Sequence, residues 1–152
     1  MKKILLIAVV LVCVFQLNAL AETHSGGRNF GIGLEFGDYP GITGKLWVSD
    51  INALSMGVGF GPFTRMQLDF LWHDFSVFKV SEGNLPLYYG FGGIMNTGNA
   101  NYQNFGVRGT FGLAYIFRDR NFDIFFELSP TFRFDPVNGI YLSAALGARY
   151  YF

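Results

Sequence analysis

The sequence predicts an all-β protein, an eight-stranded antiparallel up-and-down transmembrane β-barrel. Three observations predict this fold class. From residue 29 onward, large apolar residues alternate with small or polar ones in eight segments, and a period of two is that of a strand with two different faces. Charged residues make up 14% of the 152 residues, against about 25% in an average protein. Aromatic residues reach 18%, with 18 Phe beside 20 Gly, so the chain lacks the charge that a water-facing surface needs.

The first 21 residues have the organisation of a secretory signal peptide. Lys2 and Lys3 precede an apolar run over residues 4–17, and Ala19 and Ala21 supply the small residues of a cleavage site. A membrane-anchoring helix is the alternative, but the run is about 14 residues long and a spanning helix needs about 20. We expect cleavage after Ala21. The chain then divides into a signal peptide at 1–21, a short periplasmic leader at 22–28 and an outer-membrane barrel at 29–152.

Composition excludes several classes of protein. Eleven basic residues are matched by 11 acidic residues, which argues against a nucleic-acid partner. High apolar content without net charge excludes a disordered chain. Cys13 is the single cysteine and lies inside the apolar run, which makes it a poor lipoprotein cleavage site. Its removal with the signal peptide leaves no disulfide, thiol nucleophile or cysteine metal site in the exported chain.

The first four predicted strands are short. Residues 30–37 place Phe, Ile and Leu opposite Gly and Glu, and the turn at 38–41 ends them. Residues 42–49 form the second strand. Residues 54–61 alternate Leu, Met, Val and Phe with Ser and Gly. Across Pro62, residues 65–73 alternate Met, Leu, Phe and Trp with a second face that carries Arg, Gln, Asp and His.

Four further segments complete the pattern. Residues 85–93, 105–117 and 122–129 alternate large apolar residues with a second face of mostly small or charged ones. The eighth strand follows Gly139 and ends at Phe152. Between these strands, residues 94–104 and 130–139 are predicted as the two sizeable loops, because they contain the turn-forming residues Asn, Gly and Pro.

The small and polar face decides which side of the barrel meets lipid. In a soluble barrel the large apolar set points inward, and a soluble lipocalin-like barrel is the alternative here. A face of Gly, Ser, Ala and isolated charges is a poor surface for solvent but suits the lumen of an eight-stranded barrel, which is just wide enough for side chains. The predicted lumen charge network is Glu35, Lys45, Arg65, Asp69, Arg108, Asp123, Glu127 and Arg149.

This network contains four acids and four bases. Such a balance suits a sealed lumen, because unpaired buried charge is very costly. Arg108, Glu127 and Arg149 lie on three consecutive predicted strands, and we expect Glu127 to bridge the two arginines. Large apolar residues then form the lipid-facing surface.

The last strand carries a predicted targeting signal. Alternate residues Leu146, Ala148, Tyr150 and Phe152 end the chain on one face, a pattern that resembles the C-terminal signal read by the barrel-assembly machinery. A predicted aromatic girdle at the membrane edge consists of Trp72, Tyr115, Phe117 and Tyr150. Trp47 is expected near the same membrane edge as Trp72 and also suits the girdle. It is in phase with the polar face, however, so a bulge and a lumen plug remain open for it.

The sequence resembles a family of small, largely uncharacterised outer-membrane barrel proteins of spirochaetes and other Gram-negative bacteria. The stretches that carry the resemblance are GITGKLW at 41–47, DFLWHDF at 69–75, LPLYYG at 85–90, GLAY at 112–115 and GARYYF at 147–152. The resemblance implies an architecture similar to the OmpA and OmpX barrels, without a periplasmic domain. It implies no catalytic residues. A host-protein-binding role has been proposed for some spirochaete members of that family, and the loop residues of this sequence give no specific support for it.

We predict a non-enzymatic barrel with a structural or surface-binding role, and two alternatives stay open. A lipid-modifying enzyme similar to lipid A deacylases would use His73 and Ser76 with Asp69 or Asp74. His73 and Ser76 are three residues apart, however, so on a strand they face opposite ways. A narrow pore is the other alternative, although a lumen filled with charged side chains leaves no open channel.

We predict neither a cofactor nor a metal site, because two His without a Cys are too few ligands. The expected partners are the lipid bilayer, lipopolysaccharide or an equivalent outer-leaflet lipid, and the barrel-assembly machinery. Residues 38–41, 61–64, 94–104 and 130–139 are the expected extracellular parts, and no ligand follows from them.

Overall fold

Eight antiparallel strands close into a barrel in chain order. The computed structural model describes residues 29–98, 103–118, 121–134 and 139–152. The strands are β1 Phe30–Gly37, β2 Gly41–Trp47, β3 Asn52–Gly59, β4 Thr64–Asp74, β5 Leu87–Thr97, β6 Gln103–Ile116, β7 Phe122–Phe134 and β8 Gly139–Tyr151. Because β1 also pairs with β8, the two edge strands of the sheet are hydrogen-bonded to each other. The predicted eight-stranded antiparallel barrel is confirmed.

The up-and-down topology gives the barrel two distinct ends. One end carries Asn29 and Phe152 together with the connections β2–β3, β4–β5 and β6–β7, and we call it the terminal end. The other end carries the connections β1–β2, β3–β4, β5–β6 and β7–β8, and we call it the mouth. The predicted signal peptide, leader and cleavage after Ala21 lie outside the described residues, as do residues 99–102 and 135–138 of the two predicted loops.

Both predicted sizeable loops are partly strand, and this corrects the sequence analysis. β5 continues to Thr97 and β6 begins at Gln103, so residues 94–97 belong to the wall. β7 continues to Phe134 and likewise takes in residues 130–134. Asn, Gly and Pro predict turns from local preference, but pairing with a neighbouring strand overrides that preference.

Pro130 shows how the wall tolerates a residue that usually interrupts a strand. It lies in β7 with its ring outward and has no N–H to give to a ladder. The β6–β7 ladder pairs Arg108 with Thr131 and Phe111 with Leu128, with no pairing between these positions. The strand therefore continues past Pro130 at the cost of local pairing.

The two faces of the wall differ in the way that the alternation predicts. Large apolar side chains point outward all around the barrel, and Phe36, Phe91 and Leu142 are 61%, 64% and 69% exposed. The inward side chains are buried and mostly polar or charged. A small apolar cluster of Leu71, Tyr88, Ala114 and Phe125 also packs inside.

Among the described residues, no helix is long and apolar enough to cross a membrane.

Candidate functional site: the barrel lumen

The lumen holds all eight residues of the predicted charge network. They come from β1, β2, β4, β6, β7 and β8, and each is 5% exposed or less. Alternation along the strands places them inward, and the circumference of eight strands brings them within reach of one another. Direct ion pairs of the described residues join five of the eight, namely Asp69, Arg108, Asp123, Glu127 and Arg149.

Arg108 is the centre of the network. Its Nε lies 3.2 Å from Asp69 Oδ1, and its Nη2 forms an ion pair with Glu127 Oε1. Nη2 also donates to Ser129 Oγ at 2.8 Å, and Nη1 donates to Gln67 Oε1 at 2.6 Å. The guanidinium thus connects β4 to β7 through the interior, which the planar fork of arginine donors allows.

Arg149 forms a second centre nearer the terminal end. Its Nη1 lies 3.6 Å from Asp123 Oδ2, and its guanidinium lies 3.7 Å from the centre of the Phe125 ring. Tyr151 Oη donates to the same Asp123 oxygen at 2.6 Å. Thr43 Oγ1 accepts hydrogen bonds from Nε and Nη2 at 3.3 and 3.2 Å.

The predicted bridge from Glu127 to both arginines is wrong. Glu127 binds Arg108 and accepts a hydrogen bond from Tyr88 Oη at 3.1 Å. The β7–β8 register places Arg149 opposite Asp123 and places Ala145 opposite Glu127. Glu127 is therefore four residues along the strand from the position that faces Arg149.

Three charged residues of the lumen form hydrogen bonds with neutral side chains rather than ion pairs. Glu35 accepts hydrogen bonds from Gln67 Nε2 at 3.1 and 3.3 Å. Lys45 Nζ lies 2.8 Å from His73 Nε2. Arg65 Nε donates to Asn96 Oδ1 at 3.1 Å, and its charge is balanced only over the lumen as a whole.

The sequence analysis missed these neutral members, although some of them carried a signal. Gln67 and His73 are in phase with the inward charges of β4. Asn96 is inward and fully buried on β5, yet its place in a predicted loop concealed it. Tyr88 is inward and buried on β5, and Gly112 makes room for its ring. A Cβ at Gly112 would lie 2.5 Å from Phe126 O and would collide with the Tyr88 ring.

The residues of the enzyme alternative are not assembled into a catalytic group. Lysine only donates, so His73 Nε2 accepts from Lys45, and Nδ1–H then donates to Ile51 O at 3.1 Å. Both ring nitrogens of His73 are occupied. Ser76 is exposed and donates to Asp74 Oδ1 at 2.6 Å, while Asp69 is paired with Arg108.

Trp47 lies at the terminal end of the lumen. Its ring centroid is 4.4 Å from that of His73, and Lys45 Nζ lies 4.4 Å from it. The indole therefore covers the Lys45–His73 pair, and of the two readings left open for Trp47 the structure shows the plug.

In the part of the chain that the structure describes, no group of three His, Cys, Asp or Glu residues could hold a metal ion.

The predicted girdle residues lie outside, near the terminal end. Trp72 stacks with Tyr89 at 6.2 Å between ring centroids, and Tyr115 packs edge-on against Phe117 at 4.7 Å. Tyr150 packs edge-on against Phe152 at 5.2 Å. The residues of the predicted assembly signal, Leu146, Ala148, Tyr150 and Phe152, share the outward face of the last strand and its end. Their role as a signal stays a prediction.

Comparison with solved structures places this barrel beside two membrane-type barrels. The N-terminal β-barrel domain of Pseudomonas aeruginosa OprF is similar with a TM-score of 0.60 and 20% identity, over 84% of this chain and 100% of that chain. A structure from the de novo design of transmembrane β-barrels is similar with a TM-score of 0.55 and 15% identity, over 85% of this chain and 98% of that chain. No family model and no curated protein matches the sequence.

These likenesses show the fold. The chain is a closed eight-stranded barrel, and it shares its fold with the OprF domain and with a designed transmembrane barrel. The architecture implied by the family resemblance is therefore supported, and membership of that family stays a prediction.

Proposed function

We propose that this chain is a non-enzymatic integral protein of a bacterial outer membrane, with a sealed polar lumen and a structural or surface-binding role. The observation that carries the proposal is the contrast between the two faces of one closed wall. Large apolar residues cover the outside, whereas buried ion pairs and hydrogen bonds fill the inside. A continuous apolar exterior is stable in lipid and very unfavourable in water.

The filled lumen supports a sealed barrel rather than a pore. Arg108 spans the interior between Asp69 and Glu127. The cavity next to this centre, lined among others by Glu35, Gln67 and Arg108, has a volume of about 20 Å³, which is room for about one water. Trp47 covers the Lys45–His73 pair at the terminal end.

Hydrogen bonding of the candidate catalytic residues supports a non-enzymatic role. His73 is committed to Lys45 and Ile51 O, so it has no free nitrogen with which to activate Ser76. The signal-peptide pattern and the C-terminal aromatic residues support export, cleavage after Ala21 and insertion by the barrel-assembly machinery. Lipopolysaccharide or an equivalent outer-leaflet lipid then surrounds the mouth half of the wall.

Fractionation and reconstitution test the proposal. The protein is expected in the outer-membrane fraction after urea extraction, with β-type circular dichroism in detergent. The folded barrel is expected to migrate differently from boiled protein on a denaturing gel. In planar bilayers it is expected to be silent. A soluble monomer in plain buffer contradicts the membrane assignment, and steady large conductance contradicts the sealed lumen.

A further inference from the structure

A second cavity lies at the mouth, beyond the central ion pairs of the lumen. Its volume is about 370 Å³. Its lining includes two arginines, Arg65 of β4 and Arg133 of β7, together with Tyr39, Tyr141, Thr131 and Ser143. Neither arginine forms an ion pair with a carboxylate of the described residues.

Aromatic rings hold both guanidinium groups in place. Arg65 Cζ lies 3.7 Å from the centre of the Tyr39 ring, and Arg133 Cζ lies 4.1 Å from that of Tyr141. Arg65 is 5% exposed, and its Nε is engaged by Asn96 Oδ1. Stacking of this kind fixes the plane of a guanidinium while leaving its N–H groups free to donate.

Arg133 carries the observation that points to a ligand. Its Nε is buried and has no hydrogen-bond partner in the described part of the chain. Arg133 as a whole is half-buried, but buried polar atoms such as its Nε usually have a hydrogen-bond partner. The Nε–H of Arg133 can therefore donate a hydrogen bond that no described residue accepts.

The charge and donor pattern of the lining indicates an anion. Asp38 is the one acidic residue of the lining, and its Oδ2 accepts a hydrogen bond from Ala144 N at 3.3 Å. Ser143 Oγ and Thr131 Oγ1 both donate to Ser129 O, at 3.1 and 3.4 Å. Donors for a ligand therefore come from the guanidinium groups.

We propose that the mouth cavity binds a phosphate monoester, with the guanidinium groups of Arg65 and Arg133 donating to its oxygens. A dianion with three terminal oxygens can accept from both arginine forks at once, and a planar carboxylate offers only two oxygens. The proposal gives the surface-binding role a ligand class. The proposed phosphate site rests on the proposed function in one respect only, namely that the mouth faces away from the periplasm.

Two sources of this chemistry fit the site. Leu142 lines the cavity yet belongs to the apolar exterior, so the headgroup of an outer-leaflet lipid can reach the arginines over the rim. A free phosphate compound can enter from the solvent. The same pair of arginines would bind either one.

Calorimetric titration of the folded mature chain with inorganic phosphate, in a maltoside detergent, tests the site itself. Saturable binding is expected for the wild type. Arg133→Gln is expected to weaken it at least tenfold, and Asp38→Asn to strengthen it. The matched control is Arg118→Gln, an exposed arginine near the terminal end, which is expected to bind like the wild type. Titration with sodium chloride controls for ionic strength.

Folding is checked for each variant by the gel shift of unboiled protein, and Arg133 is chosen because it lies nearer the rim than the buried Arg65. Arg133→Lys serves as the second variant. Lysine keeps the positive charge but lacks the planar set of guanidinium donors. The phosphate affinity of this variant is expected to lie between those of the wild type and Arg133→Gln. No saturable binding by folded wild type, or equal binding by Arg133→Gln, overturns the proposal.

Reconstitution distinguishes the two sources. Phosphate titrations are repeated in phosphatidylcholine nanodiscs with and without phosphatidic acid. Competition by phosphatidic acid in the wild type, absent in Arg133→Gln, assigns the site to a lipid headgroup. Unchanged phosphate binding assigns it to a free phosphate compound. If the chain proves to be a soluble barrel, the same phosphate titration in buffer without detergent still tests the site. The proposed site and the proposed membrane location can therefore fail independently.

Discussion

Arg149 on β8 and Asp123 on β7 are direct cross-strand neighbours in the lumen, with Nη1 and Oδ2 3.6 Å apart. The pairing follows from register, because residues opposite each other on one face of an antiparallel pair are the closest side chains. Arg108 instead reaches Asp69, on a strand two positions away. The Arg149–Asp123 pair thus joins neighbouring strands only, whereas Arg108 joins its neighbour β7 through Glu127 and also reaches across the curved wall to β4.

Removal of Glu127 is expected to destabilise the barrel strongly. Glu127→Ala leaves Arg108 with Asp69 as its one ion-pair partner among the described residues, and it removes the acceptor of Tyr88 Oη. Breaking a buried pair in this way costs about 3–5 kcal/mol. The measurement is the urea midpoint of refolding into detergent or lipid, followed by gel shift. Glu82→Ala, an exposed loop carboxylate, is the control and is expected to be neutral.

Replacement of the whole centre is expected to cost much less than removal of one member. With Asp69, Arg108 and Glu127 all exchanged for apolar residues of similar volume, no orphan charge remains. The same urea titration measures the difference. A triple variant that is less stable than Glu127→Ala would show that the ion pairs themselves stabilise the fold.

A charge on the outer face is expected to destabilise the barrel in a membrane. Phe126 is 46% exposed on β7, between Leu113 and Leu146. Arginine at a lipid-facing position costs about 2–4 kcal/mol at the midplane and less near the interface. Phe78→Arg, at an exposed position in the connection after β4, is the matched control and is expected to be tolerated. Equal refolding of Phe126→Arg and wild type in lipid vesicles would argue that this face does not meet hydrocarbon.

Gly112 and Gly93 are expected to respond differently to alanine. A Cβ at Gly112 would meet the Tyr88 ring and lies 2.5 Å from Phe126 O, whereas one at Gly93 would meet only Gly106 O at 3.7 Å. Overpacking of a filled interior costs about 1–3 kcal/mol. Gly112→Ala is therefore expected to lower the urea midpoint and Gly93→Ala to leave it unchanged. Similar midpoints for both variants would mean that Tyr88 is not held by the Gly112 contact.

Opening the central barrier is expected to create conductance in a silent barrel. Arg108→Ala combined with Glu127→Ala removes the side chains that bridge β6 and β7 inside the lumen and retains Trp47 as a cover at the terminal end. Adding Trp47→Ala is expected to give small, steady ion currents in planar bilayers. Trp47→Ala alone is expected to remain silent, because Arg108 still spans the lumen. Currents from that single variant would place the barrier at Trp47.

Alternation along the strands is enough to predict the eight charged residues that face the lumen. Glu35 and Lys45 could be assigned from a period of two because each strand must bury one face. Their hydrogen-bond partners, Gln67 and His73, could not be predicted in the same way. Both partners lie on β4, and the position of β4 relative to β1 and β2 is fixed only when the barrel closes. Asn96 was lost for a different reason, because local turn preference outweighed its phase along β5. The cavity between Arg65 and Arg133 has no local signature, as it joins β4 and β7 with the Tyr39 turn.

The hydrogen bond from Phe152 N to Phe30 O, at 3.0 Å, has a consequence for biosynthesis. The first strand to leave the ribosome finds its second neighbour only when the last strand has been made, since β1 pairs with β8. Until then, both β1 and the growing strand present unpaired backbone groups, which aggregate in water and are not tolerated in lipid. We therefore expect that a chain truncated before β8 cannot close the sheet and does not form a stable barrel.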